Sequence, residues 1–166
     1  MKTCPYCGSK VEPYRDHYLC NFCEMVIDQM DVQERGKRKN YLPDSQPTLN
    51  DLQKPTQELM RFSIIELLCL LKLARAERSF IYKQRHTFIQ AIKQGEDQFA
   101  DGERYTFKEY EFFTRKCFVL ENLVRERIGF IPFKITESYI QSLAEKIEES
   151  SKKPMTIHNP RPIHKT

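Results

Sequence analysis

Four cysteines within the first 23 residues, Cys4-Pro5-Tyr6-Cys7 and Cys20-Asn21-Phe22-Cys23, constrain this chain more than any other feature. Two residues between paired cysteines let one turn aim both sulfurs at a common point, while backbone N–H groups of that turn face the thiolates and temper their charge. Two such knuckles, twelve residues apart, can enclose one tetrahedral ion. Gly8 suits the left-handed position that closes a turn of this kind. Between the knuckles, Lys10-Val-Glu-Pro-Tyr14 and His17-Tyr-Leu19 read as two strands around Arg15-Asp16, and Met25-Val-Ile27 reads as a third. A unit of about 30 residues buries too little apolar surface to fold unaided, so zinc would contribute on the order of 10 kcal/mol to its folding.

On these residues the chain resembles a zinc ribbon over roughly residues 1–30. The resemblance implies a structural zinc bound by Cys4, Cys7, Cys20 and Cys23, in a module that contacts nucleic acid, polymerases or other proteins. Glu24 departs from the pattern, because the second knuckle of such ribbons often carries glycine there. Cys4-Pro-Tyr-Cys7 is also the redox pair of glutaredoxin-like proteins, but that site needs a strand before it, and only three residues precede Cys4. Iron in a rubredoxin-like knuckle uses the same ligands, although rubredoxins place their pairs further apart; metal analysis separates the two. Disulfides are rare in a reducing compartment. Four thiolates leave no open position to activate water, which makes the expected zinc structural. His17, three residues before Cys20, reads as an exposed strand residue.

The rest of the chain changes character twice. Residues 31–55 are polar, with Lys37-Arg38-Lys39 and then Pro43, Pro47 and Pro55, and read as a basic, proline-containing linker. Residues 56–150 carry helical periodicity. A short helix starts near Thr56, and Ser63-Ile-Ile-Glu66 has capping-box spacing. The series Ile64, Leu67, Leu71, Ala74, Ile81, Phe88 and Ile92 then keeps to one face until Gly95. Thr106-Phe-Lys-Glu109 has the same capping spacing ahead of Tyr110, Phe113, Cys117, Leu120, Val124 and Ile128, with Gly129 and Pro132 as stops. A third helix spans about Glu137 to Glu149, with Ile140, Leu143, Ala144 and Ile147 on one face. Residues 151–166 read as a flexible tail. The expected fold is therefore a small β zinc ribbon followed by an all-α domain of three main helices, arranged as a hairpin or bundle. This helical part resembles no family.

No catalytic set is present: there is no glycine-rich phosphate loop, no strained nucleophile turn and no paired-carboxylate signature. The reading is a non-enzyme. The N-terminus lacks a basic patch followed by an apolar run, and the most apolar stretch, Ile64 to Ala76, is interrupted by Glu66, Lys72 and Arg75. These features point to a cytoplasmic protein with no membrane partner. Cys69 and Cys117 sit among helical apolar residues and read as core. The 27 basic and 23 acidic side chains leave +4, which permits nucleic-acid contact without requiring it. Residues 1–30 hold three basic and four acidic side chains, poorly suited to gripping phosphates before the metal centre is counted.

Two function classes follow. The first is a zinc-ribbon adaptor or regulator that binds a protein partner, in transcription or another DNA-linked process. Tyr110, Phe112, Phe113 and Phe118 lie on more than one side of their helix and support association, including a homodimer through the helical domain. The alternative is direct DNA or RNA binding through Lys37, Arg38 and Lys39 in the linker and Arg75, Arg78 and Arg85 along the long helix, where Lys72, Tyr82 and His86 share the strip.

Overall fold

The computed structural model describes residues 1–156 and divides the chain into two compact units. Met1–Tyr41 and the chain from Ala144 form the knuckle unit, and Leu42–Leu143 form the helical unit. The architecture is the expected one, small antiparallel strands followed by three main helices. The sequence-based tail, 151–166, lies outside the described residues from position 157 onward.

In the knuckle unit, β1 (Lys2–Thr3), β2 (Glu12–Tyr14), β3 (His17–Cys20), β4 (Met25–Ile27) and β5 (Gln33–Glu34) make two antiparallel sheets. The larger has the order β2-β3-β4, with Glu12 opposite Leu19 and Cys20 opposite Met25. Arg15 and Asp16 form the two-residue turn between Tyr14 and His17, and Arg15 adopts a left-handed φ of 52°. The second sheet pairs β1 with β5, placing Thr3 opposite Gln33. This pair draws residues 33–34 of the expected linker against the N-terminus through backbone hydrogen bonds, which polar residues make as readily as apolar ones. Thr3 is fully buried and its Oγ1 accepts from the Gly36 N–H at 3.1 Å. Cys4, Val11, Cys20 and Ile27 form the buried centre, with Cys7, Tyr18, Cys23 and Val32 packed against it. Half of these side chains end in sulfur, so the unit has only a thin aliphatic core of its own.

Linker residues 42–55 join the helical unit. A 3-10 turn at Leu49–Gln53 buries Leu52, with the Thr48 N–H donating to Asp51 Oδ2 at 2.7 Å. The helices are α1 (Thr56–Leu59), α2 (Ile64–Lys93), α3 (Ala100–Ile128) and α4 (Glu137–Ser151). The Ser63 capping box is present: the Glu66 N–H donates to Ser63 Oγ at 3.3 Å, and the Ser63 N–H donates to Glu66 Oε2 at 2.7 Å. Thirty residues at about 1.5 Å each carry α2 unbroken over some 45 Å. Leu67, Leu68, Leu70 and Leu71 are fully buried, so the first third of α2 is covered on several sides, while burial beyond Ile81 is only partial.

α2 and α3 form an antiparallel hairpin, because partners on α3 fall in number as those on α2 rise. Arg75 pairs with Glu121 at 2.7 Å, the Tyr82 and Tyr110 rings lie 5.8 Å apart, and Arg85 pairs with Glu103 at 2.9 Å. At the far end Gly102 lies against the Phe88 ring, 3.1 Å from where a Cβ would stand. This packing moves the start of α3 to Ala100, six residues before the expected cap at Thr106. Thr106 is instead buried inside the helix, and its hydroxyl donates back to the carbonyls of Gly102 and Glu103 at 3.0 and 2.9 Å. Tertiary contact with α2 outweighs the local capping signal, as it commonly does. Gly129 closes α3 at φ 85°, its N–H donating to the Arg125 carbonyl at 2.8 Å. α4 begins beside Lys72, which pairs with Glu137, and the boundary between the two units falls within this helix.

Arg75 bridges α2, α3 and the segment after α3, since its guanidinium also donates to the Pro132 and Phe133 carbonyls at 2.8 and 3.2 Å. Arg75→Ala leaves Glu121 and two carbonyls without these donors and is expected to lower unfolding stability by about 1–3 kcal/mol. Arg78→Ala, which breaks no ion pair among the described residues, is expected to change it by less than about 0.5 kcal/mol. Urea melts followed by helical ellipticity distinguish the two.

Candidate metal centre

The two knuckles bring Cys4, Cys7, Cys20 and Cys23 together, with all four Sγ atoms within 4.8 Å of one another. Cys4 and Cys23 are separated by 3.9 Å across the cluster, and Cys7 and Cys20 by 3.5 Å. A tetrahedral thiolate site with metal–sulfur bonds of about 2.3 Å has sulfur–sulfur edges of about 3.8 Å. The observed separations bracket that edge and lie far above a disulfide bond, and all four cysteines are free. The cluster therefore has the donor set and dimensions to hold a metal ion.

Local backbone geometry explains why these sulfurs converge. The Tyr6 N–H points at Cys4 Sγ and the Cys23 N–H at Cys20 Sγ, both at 3.4 Å, so each knuckle aims an amide at its own thiolate. The first knuckle is closed by the Gly8 N–H donating to the Cys4 carbonyl at 3.0 Å and the Cys4 N–H donating to the Ser9 carbonyl at 2.8 Å. Gly8 takes φ 72°, and Glu24, at the corresponding place after Cys23, takes φ 54°. The departure from glycine at position 24 thus leaves the turn intact, at a conformational cost of about 1 kcal/mol for a residue with a Cβ.

Sulfur charge is distributed unevenly. Cys4 and Cys20 are buried, whereas Cys7 and Cys23 are partly open. Burial pushes the Cys4 thiol up. At Cys7 burial acts in the same direction, but hydrogen bonds from the Ser9 side chain and backbone, then from Cys20 and Cys23, outweigh it and bring the thiol down to about 6. Cys23 is pushed up to about 12, first by its hydrogen bond with Cys7. Four thiolates this close repel one another, and a dication held between them would offset that repulsion. With every position filled by sulfur, the site offers structure rather than an exchangeable ligand. His17 is exposed on β3 and is not among the clustered donors.

A second layer comes from far along the chain. The Met155 N–H donates to the Gly36 carbonyl at 2.8 Å, and Arg38 Nε donates to the Lys153 carbonyl at 2.8 Å. The Met155 side chain lies over Gly8, where an added Cβ would stand 3.0 Å from Met155 Cβ and 3.1 Å from its sulfur. Residues 153–155 thus form a strap against the first knuckle and the segment after β5. These contacts use backbone groups and a bare glycine, which leave no residue-type pattern in the sequence to announce them.

The basic residues of the second function class have mixed placements. Lys37 and Arg38 are exposed beside the strap, and Lys39 pairs with Asp31 and lies 5.8 Å from the Tyr41 ring. On α2, Arg75 and Arg85 are held by Glu121 and Glu103, and Arg85 also covers the Phe107 ring at 4.9 Å. Arg78 lines a recess with Ser79, Tyr82, Lys83 and Tyr110. Two of the three strip arginines therefore join the hairpin together. Cys69 and Cys117 lie in the helical unit, where burial pushes both thiols up, away from reactive thiolates. The chain matches no family model, no curated protein and no solved structure.

Removing the ion by chelation is expected to unfold the knuckle unit while the α2–α3 hairpin keeps most of its ellipticity; loss of all helical signal would contradict that independence. Acidification acts in the same direction, because protons compete for the four sulfurs and retention falls as pH falls. Gly8→Ala combines a left-handed φ with a clash against Met155 and is expected to release metal at lower chelator concentration, by roughly 1–2 kcal/mol. Glu24→Gly is expected to hold metal at least as well as the parent, in the same chelator titration.

Proposed function

We propose that this chain is a non-catalytic zinc-ribbon adaptor or regulator in the cytoplasm, which uses a structural zinc to present a protein-binding surface in transcription or another DNA-linked process. The observation that carries this reading is the closed four-sulfur cluster, with its most exposed aromatic side chains at its rim. Tyr6 and Phe22 occupy the same place in the two knuckles, immediately before Cys7 and Cys23. They are 65% and 77% exposed, although each adjoins a cysteine of the cluster. Aromatic side chains held on rigid, metal-braced turns give up little conformational freedom on docking, which favours them as anchors for a protein partner. Zinc is the ion that best suits four thiolates at this spacing in a site without redox chemistry.

The helical unit supports association by the same logic. Phe118 is 67% exposed on α3 and Phe133 is 99% exposed just beyond it, so the aromatic surplus of the sequence is not absorbed by the hairpin. A homodimer or a hetero-complex through this unit follows. No helix among the described residues is long and apolar enough to cross a membrane, so these side chains do not belong to a span. The ion pairs of Arg75 and Arg85 weigh against the long-helix strip as a phosphate-binding surface.

Purified protein is expected to carry one equivalent of zinc by elemental analysis; iron, or no metal, would overturn the assignment. The double variant Tyr6→Ala/Phe22→Ala should keep that zinc and its helical content yet lose the partner recovered by full-length protein in a nuclease-treated pull-down. A clean monomer at tens of micromolar, with no partner recovered, would refute the adaptor reading.

A further inference from the structure

We infer that the knuckle unit carries a phosphate-backbone-binding seam for nucleic acid, formed where Lys37 and Arg38 meet Lys152 and Lys153.

The charge of the chain is distributed far from evenly. Residues 35–43 hold Arg35, Lys37, Arg38 and Lys39 and no acid, and residues 152–166 hold Lys152, Lys153, Arg161 and Lys165 and no acid. These two segments contain eight of the 27 basic side chains, so the rest of the chain has 19 basic against 23 acidic and is net acidic. Sequence separation would keep the two runs apart, but the strap joins them. Arg38 Nε donates to the Lys153 carbonyl at 2.8 Å, and the Met155 N–H donates to the Gly36 carbonyl at 2.8 Å. A recess of about 340 Å³ is lined by Lys37, Ser151, Lys152 and Pro154. A second, of about 450 Å³, is lined by Lys146, Glu149, Ser150, Lys152 and Lys153, and shares Lys152 with the first.

Folding brings like charges together here, which costs energy unless a polyanion or salt offsets it. Lys37 and Lys153 are exposed and form no ion pair among the described residues, while Lys152 faces only Glu148, one turn back on α4 and itself exposed, at 3.2 Å. An exposed pair of that kind is readily exchanged for a phosphate. Arg38 differs from the others: it is exposed, and the bond from its Nε to the Lys153 carbonyl ties the side chain to the strap. The combination of a tethered guanidinium with exposed ammonium groups along two adjoining recesses matches a chain of phosphates rather than a single small anion. Recognition through such groups rests on the phosphate backbone and tolerates sequence.

The test uses full-length, metal-loaded protein and fluorescein-labelled 20-mers as single-stranded DNA, duplex DNA and RNA, with anisotropy measured from 50 to 300 mM KCl. At least one probe is expected to bind at 50 mM KCl, with an affinity that falls steeply with salt. The variant Lys37→Ala/Lys152→Ala/Lys153→Ala should weaken binding at least tenfold and reduce the log–log salt slope for duplex by about 2–3. Arg78→Ala/Lys83→Ala, on the helical unit, should stay within twofold of the parent. Metal content and circular dichroism equal to the parent's establish that the triple variant is folded; if it is not, Lys152→Glu/Lys153→Glu is expected to give the same loss from the strap side alone. Absence of binding at 50 mM KCl, or an unchanged slope in a folded triple variant, would overturn the seam. Displacement of the probe by polyglutamate as effective as by unlabelled DNA would assign the surface to acidic proteins instead. Each of these outcomes is independent of Tyr6 and Phe22, and so of the partner reading above.

Discussion

Mutual repulsion among four sulfurs is the constraint on which the knuckle unit depends. Cys4, Cys7, Cys20 and Cys23 lie close enough that they cannot all ionise unaided, and they also make up half of the unit's buried centre and its inner layer. A dication held among them would turn this liability into cohesion, because it would bind the ionised sulfurs that otherwise repel. The remaining apolar side chains, Val11, Ile27, Tyr18 and Val32, are too few to hold two small sheets together. Turn closure at Gly8 and Glu24, the Thr3 to Gly36 hydrogen bond and the docking of Met155 all have their geometry set by where the knuckles stand.

The helical unit is built on the opposite principle. Leu52, Leu59, Leu67, Leu68, Leu70, Leu71, Leu120 and Val124 are fully buried, and their removal from water supplies the stabilisation that sulfur cannot. Charged side chains along the hairpin then add register to this packing. Arg75 with Glu121 and Arg85 with Glu103 fix which turn of α2 faces which turn of α3. The same arginines, read along one helix in isolation, resemble a phosphate-binding strip. Only the opposing helix reveals that their charge is already matched.

Exposed basic residues collect instead beside the strap, at Lys37, Arg38, Lys152 and Lys153, with Lys152 facing only the exposed Glu148, whereas exposed aromatic side chains mark the knuckle tips at Tyr6 and Phe22. The knuckle unit thus carries two chemically distinct surfaces, one apolar and rigid, one cationic and shallow.

Several features were legible in the amino-acid order because they depend on neighbours along the chain. Cysteine spacing marked the four sulfurs that cluster, the segments flanking Arg15-Asp16 marked the β2–β3 hairpin, and Ser63 with Glu66 marked the start of α2. These are short-range signals, carried by bond geometry and side-chain reach. The tertiary structure alone decided the rest. α3 gained its first turns from contact with Phe88 and Arg85, β5 formed because β1 offered a backbone edge, and the strap found Gly36 and Gly8 more than a hundred residues away. Backbone hydrogen bonds and glycine contacts carry no residue code, and an ion pair between helices has no signature on either helix alone, so these outcomes could be read only after the chain had folded.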